Sequence, residues 1–544
     1  MKRKKIIYAV DPRYFYDSKG NGIGSISGIT KKIDYFKWLN INVIVLKNCL
    51  NYSFEEIDLD MGTSVELKEL INAAKKASID IYLEWSFGGI KENHIWYKDT
   101  NDIFLDHTNF YREVDYIKNI ELKLLEDKSS KAKGFYFLHE KTGEIRLNWK
   151  SLELMKKMIK IAISWYQFGI KGFVIKNFEY LNDISFKNPL NSLTKKSLVS
   201  FFTYLKSQHP DISILGYSHY VTYSYLKDII KPNNMCFDQI ILDDIATLGI
   251  KKIDNISFID TFYVKNLFKI LKQYENDNKI VFSINSELYG KVCSRWFQTN
   301  AYQEEINKSL LTLLFFSGRS FLINMGEEIG ITNFQFNESN QINTSLMQIQ
   351  QRRIQAKGIS SFKFWESQFL LHYFANQQTF PWSLKTNGGF SSATLKPNLF
   401  IPNNLRILNL AYQFNNPHSV VNYFQYLIKL IQNPTFLAEI TPQNLVIKNI
   451  LKDVLLLKYK SKQMEVNVFI NLSNKIKRIY WYNFWGKYVC LKTNYPTLKQ
   501  TKELNYLSPY ETMIFMRFIN QKKHNTPSYE QVLGDLMEQA TIIK

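Results

Sequence analysis

Short runs rich in β-branched and aromatic residues alternate with stretches of helical pattern along most of the chain. The strand-like runs lie at 6–10, 43–46, 79–85, 172–177, 212–217, 280–285 and 321–326. Helical stretches lie between them at 32–39, 65–77, 152–167, 194–206 and 262–273. Strand, helix and strand at this spacing are typical of parallel βαβ units. About eight such units predict a (β/α)8 barrel rather than an open sheet.

The remaining segments predict further domains around this barrel. A long gap between the third and fourth strand-like runs predicts an insertion at 88–148, so the barrel would comprise 1–87 and 149–430. From residue 446 onward, runs such as VLLLKYK and VNVFINL follow one another without helices between them. This pattern predicts a C-terminal antiparallel β domain over 446–518. Residues 519–544 are polar and predict a partly helical tail.

The composition excludes a disordered chain and a small disulfide scaffold. Of the 544 residues, 45% are hydrophobic, which is enough for a substantial core. Sixty-nine Lys and Arg against 49 Asp and Glu give a net charge of +20. These charges are spread along the chain, and no nucleic-acid-binding motif accompanies them. We therefore expect no specific nucleic-acid partner.

The cysteines and the apolar runs indicate the cellular compartment of the protein. Cys49, Cys236, Cys293 and Cys490 lie far apart and lack the spacing of zinc sites, which favours free thiols in a reducing compartment. The apolar run IIYAV between MKRKK and DPR is too short for the core of a signal peptide. No stretch reaches the 18 or so apolar residues of a membrane helix. We expect a cytoplasmic protein without a membrane span.

Several motifs occur in a fixed order along the chain. The segment 11–46 reads DPRYFYDSKGNGIGSISGITKKIDYFKWLNINVIVL. The others are LNW at 147–149, GF at 172–173, VT at 221–222, SRWF at 294–297, GEEIGITN at 326–333, NGGF at 387–390 and LSPYE at 507–511. In this order they resemble the oligo-1,6-glucosidase and α-glucosidase branch of glycoside hydrolase family 13, the α-amylase superfamily. The resemblance implies the same barrel and C-terminal β domain.

The resemblance also implies where the catalytic carboxylates would lie, and this chain departs from the pattern there. Retaining glycosidases use two carboxylates, a nucleophile and a general acid. The nucleophile's position is occupied by Lys176, and the arginine that would orient it is replaced by Val174. The general acid's position is occupied by Tyr217. The third acidic position falls on Leu288, and a gap of one residue would move Glu287 onto it.

The groups that hold the sugar in the family are altered too. The family's sugar-binding histidine is matched by Gly89. The Asp-Tyr pair that clamps the sugar after the second strand in the family is matched by Cys49 and Leu50, in a shortened loop. The candidates left for substrate binding are Glu84, Trp85 and Phe87. The two aromatic rings would serve either as a sugar-stacking platform or as plain core packing.

The calcium-binding turn of this branch is matched by Asp17 to Ser25, with Asp17, Asn21 and Ile23 at former ligand positions. Only one carboxylate remains, and Lys19 would place an ammonium among oxygen ligands. We expect no divalent ion there, and no other cofactor is implied.

Three further features have both a structural and a functional interpretation. Glu327 and Glu328 belong to the GEEIG turn, where loop structure is favoured over catalysis. His219 is predicted to lie in a surface loop. Lys176 next to Glu84 or Glu287 would form an ordinary buried ion pair.

Two functions follow from this pattern. The first is a catalytically silent α-glucosidase-like protein, a pseudoenzyme with a carbohydrate-binding, regulatory or scaffolding role and a carbohydrate or protein partner. The alternative is an α-glucosidase-type hydrolase of carbohydrate metabolism with an altered active site. In that alternative Glu287, Glu84, Glu179 or Lys176 would perform the chemistry.

Overall fold

The structure is a computed structural model. It describes residues 4–51, 53–91, 94–98, 107–108, 122–126, 135–139, 145–149, 151–178, 192–219, 223–226, 237–254, 256–297, 299, 301–336, 345–479, 488–496 and 506–519. The chain divides into two compact units. The N-terminal unit comprises 6–243 and 279–281, and the C-terminal unit comprises 1–5, 244–278 and 282–544.

The N-terminal unit contains most of the barrel strands and a small antiparallel sheet. In chain order its strands are β1 (Ile6–Val10), β2 (Val43–Leu46), β3 (Asp80–Ser86), β4 (Gly89–Ile90), β5 (His107–Thr108), β6 (Leu122–Glu126), β7 (Phe135–His139), β8 (Ile145–Arg146), β9 (Gly172–Lys176), β10 (Ser213–Ser218) and β11 (Gln239–Leu242). Its helices span Pro12–Phe15, Ile26–Lys31, Ile33–Trp38, Ser64–Lys76, Ile95–Lys98, Leu152–Phe168, Ser192–Gln208 and Tyr223–Leu226. Strands β4 to β8 form the antiparallel sheet within the expected insertion.

The C-terminal unit begins its regular structure with β12 (Ile250–Ile253) and β13 (Ile256–Ile259), which form a hairpin. After β14 (Ile280–Val281) of the N-terminal unit come β15 (Phe321–Asn324), β16 (Leu445–Leu451), β17 (Val454–Lys460), β18 (Met464–Asn471), β19 (Lys477–Arg478), β20 (Val489–Thr493), β21 (Tyr506–Leu507) and β22 (Thr512–Phe518). Its helices span Val264–Tyr274, Val292–Arg295, Gln303–Phe315, Ser345–Gln355, Ser361–Leu371, Leu405–Leu408, Leu410–Asn415, Val420–Gln432 and Pro434–Glu439.

Eight parallel strands form a nearly closed barrel, as the sequence predicts. Their order is β14-β11-β10-β9-β3-β2-β1-β15. Phe282, which follows β14, makes a parallel bridge to Phe321 of β15. Every residue of β1 and β2 is buried. Burial of both strand faces is typical of parallel sheets covered by helices.

Local sequence signals place the barrel elements. Thr63 and Glu66 form a reciprocal capping box at the start of the helix Ser64–Lys76. Gly172 begins β9 where a Cβ atom would lie 2.6 Å from the Ser213 carbonyl oxygen and 2.9 Å from the Tyr82 ring. A side chain does not fit there, so the glycine permits the close packing of β9 between β3 and β10.

The sequence-based elements agree with the structure in kind, and they differ at particular ends. Strand β11 has no counterpart among the predicted strands, because its apolar run of three residues is too short to give a strand pattern. The run at 280–285 was expected to be a strand throughout, but β14 ends at Val281. Beyond it, Ser283 Oγ donates to the Asn285 carbonyl, and Asn285 Oδ1 accepts from the Val292 N–H. These bonds turn the chain away from the sheet. The expected tail lies outside the described residues from residue 520 onward.

The C-terminal β domain is built on a five-stranded antiparallel sheet with the order β16-β17-β18-β22-β20. Glu465 lies in the central strand β18 with a side chain that is 1% exposed. Its carboxylate contacts Lys458 on β17 and accepts from Arg517 Nε and Nη2 on β22 at 3.0 and 2.5 Å. Burial opposes its ionisation, but these two cations outweigh burial and lower the pKa of Glu465 to about 2.

We predict that Glu465→Gln lowers the free energy of unfolding by about 2–4 kcal/mol at pH 7, because it breaks a buried, charge-assisted cluster. The folded-state pKa of Glu465 lies below its unfolded value of about 4.3. The stabilisation is therefore present above pH 5 and is lost as the pH falls towards 2. Thermal denaturation of both proteins between pH 7 and 2.5 checks this. Glu366→Gln, at an exposed position, is the control and should denature like the wild type. A stability difference between the wild type and Glu465→Gln that does not shrink in acid would contradict this explanation.

Candidate site at the carboxyl ends of the barrel strands

Strand register brings the family-derived catalytic positions of the N-terminal unit to one face of the sheet. Ser86 of β3 pairs with Lys176 of β9, and Lys176 pairs with Tyr217 of β10. Neighbouring residues in a parallel register share a face, and residues two apart along a strand point the same way. Glu84 therefore lies on the face of Lys176 and Tyr217. All of these residues are at or near the carboxyl ends of their strands, where barrel proteins build their sites.

Lys176 and Glu84 form an ion pair. The distance between Lys176 Nζ and Glu84 Oε1 is 3.2 Å, and the side chains are 14% and 7% exposed. The ion-pair interpretation of Lys176 is thereby confirmed, with Glu84 as the partner. Two compensating charges lie in a largely buried position where each alone would carry a large desolvation cost.

Asp243 organises a second polar cluster. It follows β11, and its Oδ1 accepts a hydrogen bond of 3.1 Å from the Tyr217 hydroxyl. Its Oδ2 lies 2.6 Å from His219 Nδ1. The side chains of His219 and Asp243 are 2% and 1% exposed. The cluster thus consists of a carboxylate, a phenol and an imidazole at the ends of adjacent strands.

The expectation that His219 lies in a surface loop is therefore wrong. Its ring is buried, pairs with Asp243, and lies 4.2 Å from the ring of Tyr217. The physical reason is the carboxylate of Asp243, which compensates the imidazole inside the protein. A sequence signal for a buried partner of His219 does exist. Asp243 and Asp244 directly follow the apolar run of β11, a strand that is absent from the predicted set.

Asp11 at the end of β1 was also missed. Its carboxylate accepts from Arg13 Nε at 3.0 Å and Nη2 at 2.5 Å, and from Asn48 Nδ2 at 2.9 Å. The pKa of Arg13 is raised: burial opposes its charge, but the hydrogen bond to Asp11 outweighs that cost. Burial raises the pKa of the neighbouring Cys49 thiol well above its usual value. The polar edge of the barrel thus extends from β1 to β11.

The aromatic substrate-binding candidates are interior. Trp85 is 1% exposed and Phe87 is 0% exposed. Their ring centroids lie 5.1 Å apart, and Phe87 stacks on Trp149 at 4.8 Å. This is the core-packing interpretation, because a stacking platform would need a ring face open to the sugar. Glu84, the third candidate, is engaged with Lys176.

The turn at Asp17 does not fit calcium. The carboxylate of Asp17 accepts hydrogen bonds from the backbone N–H groups of Lys19, Gly20 and Gly22 at 3.0, 2.8 and 2.8 Å. Asn21 Oδ1 accepts from the Ile23 N–H. Lys19 Nζ lies 2.8 Å from a Glu66 oxygen. Backbone donors thus occupy the oxygens that a metal ion would need.

The GEEIG turn in the C-terminal unit has the structural role that the sequence favours. Glu328 Oε2 accepts from the Gly326 N–H at 2.9 Å, and Glu327 Oε1 accepts from Asn324 Nδ2 at 2.9 Å. Burial raises the pKa of Glu327, although the charge of Lys291 opposes the shift. Both carboxylates are thus engaged in holding the loop that follows β15.

The third acidic position lies in the loop after β14 and remains a prediction. Glu287 and Leu288 are half-buried, and the Leu288 N–H donates to Ser286 Oγ at 3.1 Å. Glu179, which the alternative function invokes, lies outside the described residues.

Fold and site together define a (β/α)8-barrel protein with a C-terminal antiparallel domain and buried charged groups at the carboxyl ends of its strands. The chain belongs to the α-amylase family: residues 7–439 match the family model "Alpha amylase, catalytic domain". Within the described residues, no helix is long and apolar enough to cross a membrane.

Individual relatives agree with this assignment. The chain is 24% identical to a glucan 1,6-alpha-glucosidase of Streptococcus dysgalactiae subsp. equisimilis, over 80% of this chain and 85% of the relative. It is 23% identical to an oligo-1,6-glucosidase of Parageobacillus thermoglucosidasius, over 79% and 83%. A crystal structure of Bacillus licheniformis trehalose-6-phosphate hydrolase superposes with a TM-score of 0.83 at 19% identity, covering 94% of this chain and 99% of that one. The solved structure therefore has the same fold.

We predict that Lys176→Met lowers the free energy of unfolding by about 3–5 kcal/mol, because Glu84 would stay buried without its cation. The double variant Lys176→Met/Glu84→Gln should recover more than half of that loss. Denaturant unfolding of the single and double variants measures the coupling. Lys156→Met, which breaks an ion pair with Glu153 whose partners are 69% and 59% exposed, should cost less than about 1 kcal/mol. Strictly additive single effects would contradict a direct interaction between Lys176 and Glu84.

Proposed function

We propose that this protein is an α-glucosidase-like member of the family that does not hydrolyse glycosides. It serves instead as a carbohydrate-binding, regulatory or scaffolding protein. The retaining mechanism requires a carboxylate that attacks the anomeric carbon and a second carboxyl group that protonates the leaving oxygen. In this chain the family resemblance assigns those two positions to Lys176 and Tyr217.

The observation that supports this proposal most strongly is the ion pair of Lys176 with Glu84, at 3.2 Å. An ammonium at the nucleophile's position cannot form the glycosyl ester of the retaining mechanism. It also engages Glu84, a carboxylate on the same sheet face. Glu84 would have to give up this largely buried ion pair before it could attack a substrate, at a cost of several kcal/mol.

Tyr217 is poorly suited to the acid's role. A phenol has a pKa near 10, so it is a weak proton donor at neutral pH compared with a carboxylic acid of raised pKa. Its hydroxyl also donates to Asp243 Oδ1 at 3.1 Å. The proton that a leaving group would need is therefore directed at a buried carboxylate.

An α-glucosidase-type hydrolase with an altered site is the second candidate, and two observations favour it. The relatives named above include a glucan 1,6-alpha-glucosidase and an oligo-1,6-glucosidase. Asp243 and His219 form a carboxylate–imidazole pair at 2.6 Å, a combination that can serve general acid–base chemistry. In this candidate Asp243 would orient His219, and the imidazole would transfer the proton.

A cytoplasmic location is part of the proposal. It is supported by Cys49, Cys293 and Cys490, which form no disulfide within the described part of the chain.

We predict that the purified protein releases no glucose from maltose, isomaltose, sucrose or aryl α-glucosides above the buffer blank. Loss of a single general acid or base removes about 10² to 10⁴ in rate, and here both positions are changed. Lys176→Asp should not restore turnover, because Tyr217 still occupies the acid's position. A coupled assay for released glucose measures this.

The same assay separates the two candidates. Lys176→Ala, Glu287→Gln and Asp243→Asn are purified in parallel with the wild type. If the wild type is active and one of these substitutions abolishes the activity, the altered-hydrolase candidate replaces the first. Equal residual activity in all four preparations would identify a contaminating enzyme.

A further inference from the structure

A cavity of about 680 Å³ lies within the C-terminal unit. Its walls come from the start of the helix Gln303–Phe315, the loop at 329–336 and the segment at 403–420. Its lining contains none of Glu84, Lys176 or Tyr217. Ligand sites in proteins commonly measure about 300–1,000 Å³, so the cavity is large enough for a small organic ligand.

We propose that this cavity is a carbohydrate-binding site that takes a short neutral oligosaccharide. The proposal is independent of whether the barrel strands support hydrolysis, since it concerns a different set of residues. The lining carries neutral hydrogen-bonding groups, aromatic rings and almost no charge, and these three properties together match a sugar better than any charged metabolite.

Charge is the first argument. Of the described residues that line the cavity, Glu304 alone is ionisable. Its Oε2 lies 3.3 Å from Lys308 Nζ, so the carboxylate is already compensated by a cation. Because the described part of the lining has no net charge, it gives no electrostatic gain to a phosphate or carboxylate ligand, which would only pay a desolvation cost.

Hydrogen-bonding capacity is the second argument. Amide and hydroxyl side chains recur around the wall, and they both donate and accept, as sugar hydroxyls do. Those that carry the argument are Gln303, Asn307, Thr332, Gln335, Asn403 and Asn404. Gln303 Nε2 donates to the Thr299 carbonyl, but Gln303 Oε1 is buried and accepts no hydrogen bond. Gln303 Oε1 is closed to solvent, so the amide groups that a ligand hydroxyl can reach are the exposed side chains of Gln335, Asn403 and Asn404.

The wall is held in place before any ligand binds. Asn333 Oδ1 accepts from the Lys291 N–H at 2.6 Å, and its Nδ2 donates to the Leu370 carbonyl at 3.0 Å. Asn403 Oδ1 accepts from the Gln335 N–H at 3.0 Å. These bonds anchor the loop at 329–336 to its neighbours. A preorganised wall lowers the entropy cost of binding.

Aromatic surface is the third argument. Phe334, Phe336 and Phe369 line the cavity. The rings of Phe336 and Phe369 stack with centroids 6.2 Å apart, and Phe334 meets Phe336 edge-on at 5.3 Å. Phe334 and Phe369 are half-buried, so part of each ring stays open. Such ring surface suits the apolar faces of a pyranose, while the amide groups meet its hydroxyls.

Hydrogen–deuterium exchange of the full-length protein with isomaltotriose and maltotriose as probes tests the site directly. We expect slower exchange around Gln303 and around Asn333, saturating with the concentration of at least one of the two sugars. Asn404→Trp fills the cavity from an exposed position and should weaken that protection at least tenfold in apparent affinity. Thr394→Trp, at an exposed position outside the lining, is the matched control and should behave as the wild type.

Three outcomes would overturn the proposal: no protection of these segments by either trisaccharide, equal protection in Asn404→Trp, or protection by cyclohexanol in place of the sugars. Asn404→Leu supplies a second variant that removes an exposed amide of the wall and nearly keeps the side-chain volume. It should also weaken protection, with the melting temperature of each variant confirming that it is folded.

Discussion

The site in the N-terminal unit depends on one electrostatic constraint. A charged side chain that is buried on a barrel strand needs an opposite charge or a hydrogen-bonding partner beside it. Lys176 and Glu84 meet this constraint at 3.2 Å on neighbouring strands. Asp243 meets it by accepting from Tyr217 and pairing with His219. In a barrel that performs retaining glycosidase chemistry, the same strand ends must present carboxylates to the substrate. Here the charged groups are directed at each other, which is why we interpret them as a structural replacement for the catalytic set.

Most of the fold could be predicted from the sequence, because β-branched runs separated by helical patterns leave few other architectures. The missing strand β11 shows the limit of that reasoning, since a strand of four residues gives too short a pattern. The error at His219 had the same origin. Its partner Asp243 follows the unrecognised strand, so the histidine had no visible reason to be buried. Trp85 and Phe87 had two interpretations in sequence, and only their three-dimensional neighbours decide for packing.

The cavity in the C-terminal unit could not be predicted at all. Its walls combine one helix start with loop segments that are distant in sequence, and loops carry no hydrophobic period. The amide side chains that line it read as ordinary polar loop residues. Only the structure shows that Asn333 holds the wall together through its hydrogen bonds. Only the structure shows, too, that the Oε1 atom of Gln303 accepts no hydrogen bond. A binding role in this unit would be compatible with the absence of hydrolysis that we propose for this protein, because the two properties concern separate residues.

The central claim is that no carboxylate of this protein attacks a glucosyl carbon. Incubation with 5-fluoro-α-D-glucosyl fluoride tests it most directly, because a nucleophilic carboxylate displaces the anomeric fluoride and retains the fluoroglucosyl group as a slowly hydrolysed ester. Intact-mass spectrometry of the treated protein reads the result, with an active α-glucosidase as the positive control. We expect the mass of this protein to stay unchanged while the control gains one fluoroglucosyl group. A stoichiometric gain on this protein, mapped by peptide sequencing to a carboxylate, would contradict it.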